Sequence, residues 1–150
     1  MPTPYESARL NLQLFEMRRE PLLREARSWF VNEFLPQSMD EYLAIMGGPR
    51  NPSVRMVIGY WDMACSMVVH GAIDQQMFVD AHGEVILSFA KLRPLLADLR
   101  QQLGPFVLRN VETVVMAIPG VEARMAAGYA RMHARYKSQQ AAPPATDPTS

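Results

Sequence analysis

The chain has 150 residues, enough for one domain that buries roughly two-thirds of its unfolded surface. Fifteen basic and fifteen acidic side chains give a formal net charge of zero, which argues against a protein built around nucleic acid or an anionic membrane surface. A single cysteine, Cys65, excludes an internal disulfide and fits a reducing compartment, so a cytoplasmic setting is expected.

The opening segment, MPTPYESARLNLQLFEMRREP, has no long apolar run and mixes acids with bases. It is not expected to act as a signal peptide. Residues 5–19 have helix-forming composition, closed by Pro21, which also suits the first turn of a second helix over 21–35. In that helix Leu22, Ala26, Trp29, Phe30 and Phe34 share a face, with Arg24, Arg27, Ser28 and Asn32 opposite. Glu33 projects near the middle of the apolar face. Its carboxylate needs Arg55, Arg27 or Arg93 as partner, unless it escapes to water at the helix end.

Ser38 followed by Glu41 is a capping-box pattern for a short helix over 39–46. After a Gly- and Pro-containing loop, Asn51 and Pro52 read as N-cap and first turn of a long central helix, about 52–70, which Gly71 ends. Asp74 is the next N-cap, with Ile73 and Phe78 at the spacing of a hydrophobic staple, and that helix breaks at Gly83. A further helix over 84–103 carries Val85, Phe89, Leu92, Leu96, Leu99 and Leu103 in one stripe, and Pro94 should kink or divide it.

Residues 106–118 include VETVVMAI, β-branched enough for a strand, yet Val107, Val111, Val114, Val115 and Ile118 fit helical spacing. With no partner strand in view, helix is expected. Pro119-Gly120 precedes a last helix to about residue 139, and residues 141–150 have the composition of disorder. The expected architecture is an all-α single-domain helical bundle, 1–140, of seven or eight helices around a mostly buried central helix.

That central helix is the only candidate membrane span, and Arg55, Asp62 and His70 inside it argue against insertion. At about 100° per residue, Arg55, Gly59, Asp62, Ser66 and His70 fall on one line, while the rest of residues 54–69 is apolar. Such a stripe has two meanings. It can face water or a neighbour's polar edge, with Gly59 and Ser66 permitting close approach and Arg55 paired to Asp62 or another acid. Or it can line an interhelical pocket in which Arg55 binds an anion, Asp62 orients or activates a ligand, and His70 exchanges a proton. Glu33 would then converge on the same site.

No residue is singled out as catalytic, because GxSxG, P-loop and GxGxxG patterns are all lacking. His70, His82 and His133 are far apart and fit no metal motif, and Asp80-x-His82-x-Glu84 reads as a solvated loop, so neither metal nor cofactor is expected. Cys65, among Met63, Ala64, Met67 and Val68, reads as an inert core thiol. In the last helix, Arg124, Arg131 and Arg135 run beside a stripe of Val121, Met125, Tyr129, Met132 and Tyr136, a solvated flank next to a packed face.

The segment GYWDMACSMVVHGAIDQQMFVDAHGEVILSFAKLRPLLADLR, residues 59–100, resembles a family of small bacterial helical domains of unknown function. The matching positions are the turn Gly71-Ala72-Ile73-Asp74, the internal Leu92-Arg93-Pro94 and the closing Arg100. Many members carry an N-terminal membrane helix, which is absent from this sequence. The resemblance implies a helical fold and no activity. The functional expectation is a non-enzymatic interaction or assembly module, forming a homo-oligomer or docking a protein partner through an exposed Met- and aromatic-bearing face on the last two helices. The alternative is a small-molecule-binding bundle, with room for an enzyme, built on the polar stripe.

Overall fold

Caps and apolar periodicity translate into nine α-helices in the computed structural model, which describes residues 1–143. These are α1 (Pro4–Met17), α2 (Pro21–Asn32), α3 (Met39–Met46), α4 (Asn51–Val69), α5 (Gln75–Ala81), α6 (Glu84–Leu92), α7 (Leu96–Leu103), α8 (Arg109–Met116) and α9 (Val121–Ala141). No strand forms among the described residues, and 106–118 contributes a helix. The count exceeds eight because Pro94 divides the helix expected over 84–103: a 3₁₀ turn, Arg93–Leu95, separates α6 from α7. Of the tail expected to be disordered, Ala141 still belongs to α9, and 144–150 lie outside the described residues.

Local chemistry explains most boundaries. Thr3 caps α1 with a reciprocal bond to Glu6, Ser38 accepts from the Glu41 N–H, and Asp74 accepts from the Met77 N–H. At the end of α4, Gly71 takes φ +76°, which lets the Ala72 and Gly71 N–H groups donate to the Met67 and Val68 carbonyls. Asn51 departs from expectation. It is the first residue of α4, not its cap, and its side-chain amide donates to the Met46 carbonyl at 2.9 Å, tying α4 to the end of α3.

The core forms around α4, which packs against α2 and α8, while α6 packs against α8 and α9, and α1 lies along α5. Trp61, Phe30, Phe34, Phe78 and Phe89 are its largest fully buried side chains. On α2 the buried line is Leu23, Ala26 and Phe30, not the expected one that included Leu22, which is exposed. Arg27, expected on the wet side, turns inward. Close approach of α9 to α6 depends on Gly128, where a Cβ would sit 2.7 Å from a Leu87 methyl.

Helix α2 ends at Asn32, three residues earlier than expected, and its carbonyls are claimed by another helix. Lys91 of α6 is buried, and its Nζ donates to the Phe30, Val31 and Phe34 carbonyls at 2.6, 2.8 and 2.7 Å. Burial, then Arg135, pull its pKa down to about 8, with Glu84 opposing. The three acceptors and the negative end of the α2 dipole favour the ammonium form at neutral pH. Lys91→Met, which removes the donors and keeps the length, is expected to lower the unfolding free energy by about 2–4 kcal/mol in a denaturant titration, because three carbonyls lose their partner.

Candidate functional site: a groove beside the central helix

The polar stripe of α4 divides in two. At its C-terminal end, the Ser66 hydroxyl donates to the Met63 carbonyl at 2.6 Å, and His70 Nδ1 lies 2.8 Å from the Ser66 carbonyl. Both side chains are thus spent on their own helix, and His70 is exposed. Gly59 is also exposed, and a Cβ added there would meet nothing within 4 Å, so it does not admit a close neighbour.

Arg55, Gly59 and Asp62 line an open groove of about 460 Å³. Its other walls are Tyr42 and Met46 of α3, Val54 and Ile58 of α4, Leu103 of α7, and Phe106, Val107 and Leu108 of the α7–α8 loop. The lining is mostly apolar. Leu103 and Phe106, 54% and 63% exposed, stand at its edge.

Asp62 is not available to a ligand. Its carboxylate accepts from the Asn110 N–H at 3.1 Å, the Asn110 amide at 2.9 Å and the Val111 N–H at 3.2 Å. Leu108 at the start of α8 provides no side-chain cap and sits in the left-handed region at φ 54°, so Asp62 supplies the missing cap from another helix. The loop is held further by Arg100, whose Nε donates to the Val107 carbonyl at 3.1 Å and whose guanidinium pairs with Glu112 at 3.0 Å. Gly104 takes φ +115°, and a Cβ there would clash with the Phe106 ring, which therefore folds over it. The groove wall is built, not slack.

Arg55 does not pair with Asp62, and it has no salt bridge among the described residues. Glu33 does not join it. The carboxylate lies exposed just past the end of α2, beside Lys91 and Arg135, so the proposed convergence of Glu33 with Arg55, Asp62, Ser66 and His70 is not formed. Arg27 and Arg93, its other candidate partners, bind Glu84 and Glu122 instead.

Glu84 is the carboxylate that does receive a buried partner. It accepts from Arg27 Nε and Nη2 at 3.0 and 2.5 Å, and from Arg18 at 3.3 Å. Arg18 also donates to His82 Nδ1 at 3.4 Å and lies 5.6 Å from the Trp61 ring centre. His82 is fully buried, so the solvated loop expected around Asp80, His82 and Glu84 is corrected: two of its three polar residues face inward. Arginine can only donate, so Nδ1 is the acceptor and the neutral ring carries its proton on Nε2. Burial first, then Arg18 and Arg27, push the His82 pKa down to about 4. Sequence separations of 57 to 66 residues hid this cluster. Its only local signal was a glutamate in a helix's first turn.

Cys65 is buried, and desolvation, with Asp62 adding, raises its pKa to about 12, which leaves an inert thiol. No group of three or more His, Cys, Asp or Glu side chains among the described residues could hold a metal. No helix among them is long and apolar enough to cross a membrane.

The fold and site therefore define an all-α domain with an open apolar groove and an internal ion cluster. The chain belongs to the family described as a domain of unknown function, DUF4760, whose model matches residues 5–117. This is a wider span than the resemblance over 59–100 covers. No curated protein and no solved structure matches the chain.

Removing the Asp62 cap by Asp62→Ala should destabilise the fold by about 1–2 kcal/mol and speed amide exchange at Asn110 and Val111 first. The His82 ring gives a pH dependence. Its folded pKa is below the unfolded value, so the unfolded chain binds the extra proton. Stability is complete above about pH 6.5 and drains as pH falls toward about 4, with about 2 kcal/mol lost between pH 7 and pH 5. Urea titrations at the two pH values should show that slope, and His82→Phe should flatten it.

Proposed function

We propose that this domain is a non-enzymatic interaction module that receives an apolar helical segment of a partner protein in the groove between α3, α4 and the α7–α8 loop. The observation that carries this reading is the groove itself: about 460 Å³, mostly apolar, and edged by large exposed side chains. A drug-sized ligand is normally enclosed on most sides, whereas Leu103 and Phe106 continue the apolar surface beyond the groove. A helix laid along it covers both floor and rim.

The groove's electrostatics support the same reading. The Asp62 carboxylate is occupied by three N–H donors, and Arg55 is the cation without an ion pair among the lining residues. A partner segment with an acid one turn from its apolar anchors meets that charge. Exposed large apolar side chains lie on α1, α2, α3, α4, α7 and the loop after it, not on the last two helices where the sequence pattern suggests an interacting face. The lone cysteine remains consistent with work in a reducing, cytoplasmic compartment.

The test is a titration of isotope-labelled protein with a designed amphipathic helical peptide bearing one glutamate beside a Leu and Phe pair. Amide shifts at Tyr42, Ile58, Gly59 and Val107 are expected, and Phe106→Asp should weaken binding about tenfold or more. Absence of shifts at millimolar peptide overturns the reading.

A further inference from the structure

The C-terminal end of α4, away from the groove, carries a different chemistry. Met63, Met67 and His70 follow one another at spacings of four and three residues. On a helix each consecutive pair is a surface neighbour, and the three fall within about 60° of one face. Met63 and His70 are exposed, and Met67 is half-buried against the core. Two thioethers and an imidazole thus share one stretch of open surface.

The bond from His70 to the Ser66 carbonyl engages only one ring nitrogen. A carbonyl can only accept, so Nδ1 carries the proton, and the neutral ring keeps its lone pair on Nε2. Nε2 has no hydrogen-bond partner among the described residues. Metal-ligating histidines are held in this way, with a backbone carbonyl fixing one nitrogen and the other left to the ion. The same bond holds the ring against the last turn of α4, which also carries Met67. That turn is the negative end of the helix dipole, which favours a bound cation. Thioether sulfur is neutral and polarisable, and it selects Cu(I) over harder ions. Cys65, the only thiol in the chain, does not compete: it is fully buried, and burial, with Asp62 adding, raises its pKa to about 12.

We propose that Met63, Met67 and His70 form a surface site for the soft monovalent ion Cu(I), with two thioether sulfurs and His70 Nε2 as ligands. All three donors are neutral, so no thiol or carboxylic acid must lose a proton for the ion to bind. They come from consecutive turns of one helix, so the site forms with α4 and needs no rearrangement of the bundle. The one cation on α4, Arg55, lies two turns before Met63, about 12 Å along the axis.

The experiment titrates the full chain with Ag(I), a redox-stable stand-in for Cu(I), and follows methionine methyl and histidine ring signals by NMR. One equivalent should shift the Met63 and Met67 methyl groups and the His70 ring, and leave the Met56 methyl group in place. Cu(I) supplied anaerobically should move the same three residues with the same stoichiometry. Met63→Leu, Met67→Leu and His70→Gln should each weaken Ag(I) binding about tenfold or more, with an unchanged circular dichroism spectrum. Cys65→Ala and Met56→Leu should leave the affinity as it is. Zn(II) at the same concentration should give no shift, because one imidazole and two thioethers do not suit it. The inference is overturned if either monovalent ion leaves the three residues unmoved, or if Zn(II) binds as tightly as Ag(I). Binding that is lost in Cys65→Ala, or kept when Met63→Leu and Met67→Leu are combined, overturns it as well.

Discussion

Every helix leaves unpaired backbone N–H groups at its start and unpaired carbonyls at its end, and a bundle of short helices places many of these inside the protein. In this chain side chains from other helices close the gap. Lys91 of α6 gathers three carbonyls at the end of α2, Asp62 of α4 binds the opening N–H groups of α8, and Tyr60 of α4 binds the Leu14 carbonyl of α1. Ser7 of α1 accepts from the Asp74 N–H at the start of α5. Each of these polar groups is satisfied by neutral backbone or amide partners and not by an opposite charge, and each fixes where one helix ends relative to another.

The groove inherits its shape from that arrangement. The α7–α8 loop would be free to move were its far end not anchored by Asp62 and braced by Arg100. The left-handed Leu108 costs about 1 kcal/mol and is retained because it turns the chain so that the α8 N–H groups face Asp62. One carboxylate thus holds a helix in place and leaves the groove it borders mostly apolar. Internal charge is concentrated elsewhere, where Glu84 binds two arginines beneath Trp61 and the buried His82.

The span matched by the family model runs from Tyr5, the second residue of α1, past the end of α8, and α9 lies beyond it. In this chain α9 is nonetheless part of the core. Val121 and Met125 are buried, Gly128 brings the helix against Leu87, and Arg93 forks onto Glu122 across the junction with the 3₁₀ turn. Arg135 and Tyr136 extend it over the Lys91 site. The groove, on the other side of α4, is built without any part of α9.

What the sequence alone determined was set by interactions a few residues long. Asp74 before a helix, Gly71 after one, Pro94 inside one and helical spacing through the valines of 106–118 each act on their own turn, so the helical class and most boundaries were legible. The line of Arg55, Gly59, Asp62, Ser66 and His70 was also legible, since it follows from helix geometry alone. Tertiary structure decided what that line faces: a groove for its first half, bonds to its own backbone for Ser66 and His70, and α8 for Asp62. It also decided that Glu84, not Glu33, would be the carboxylate held between arginines. Both residues lie at helix ends, and which one a partner reaches depends on helix packing across more than fifty residues of chain, where periodicity carries no information.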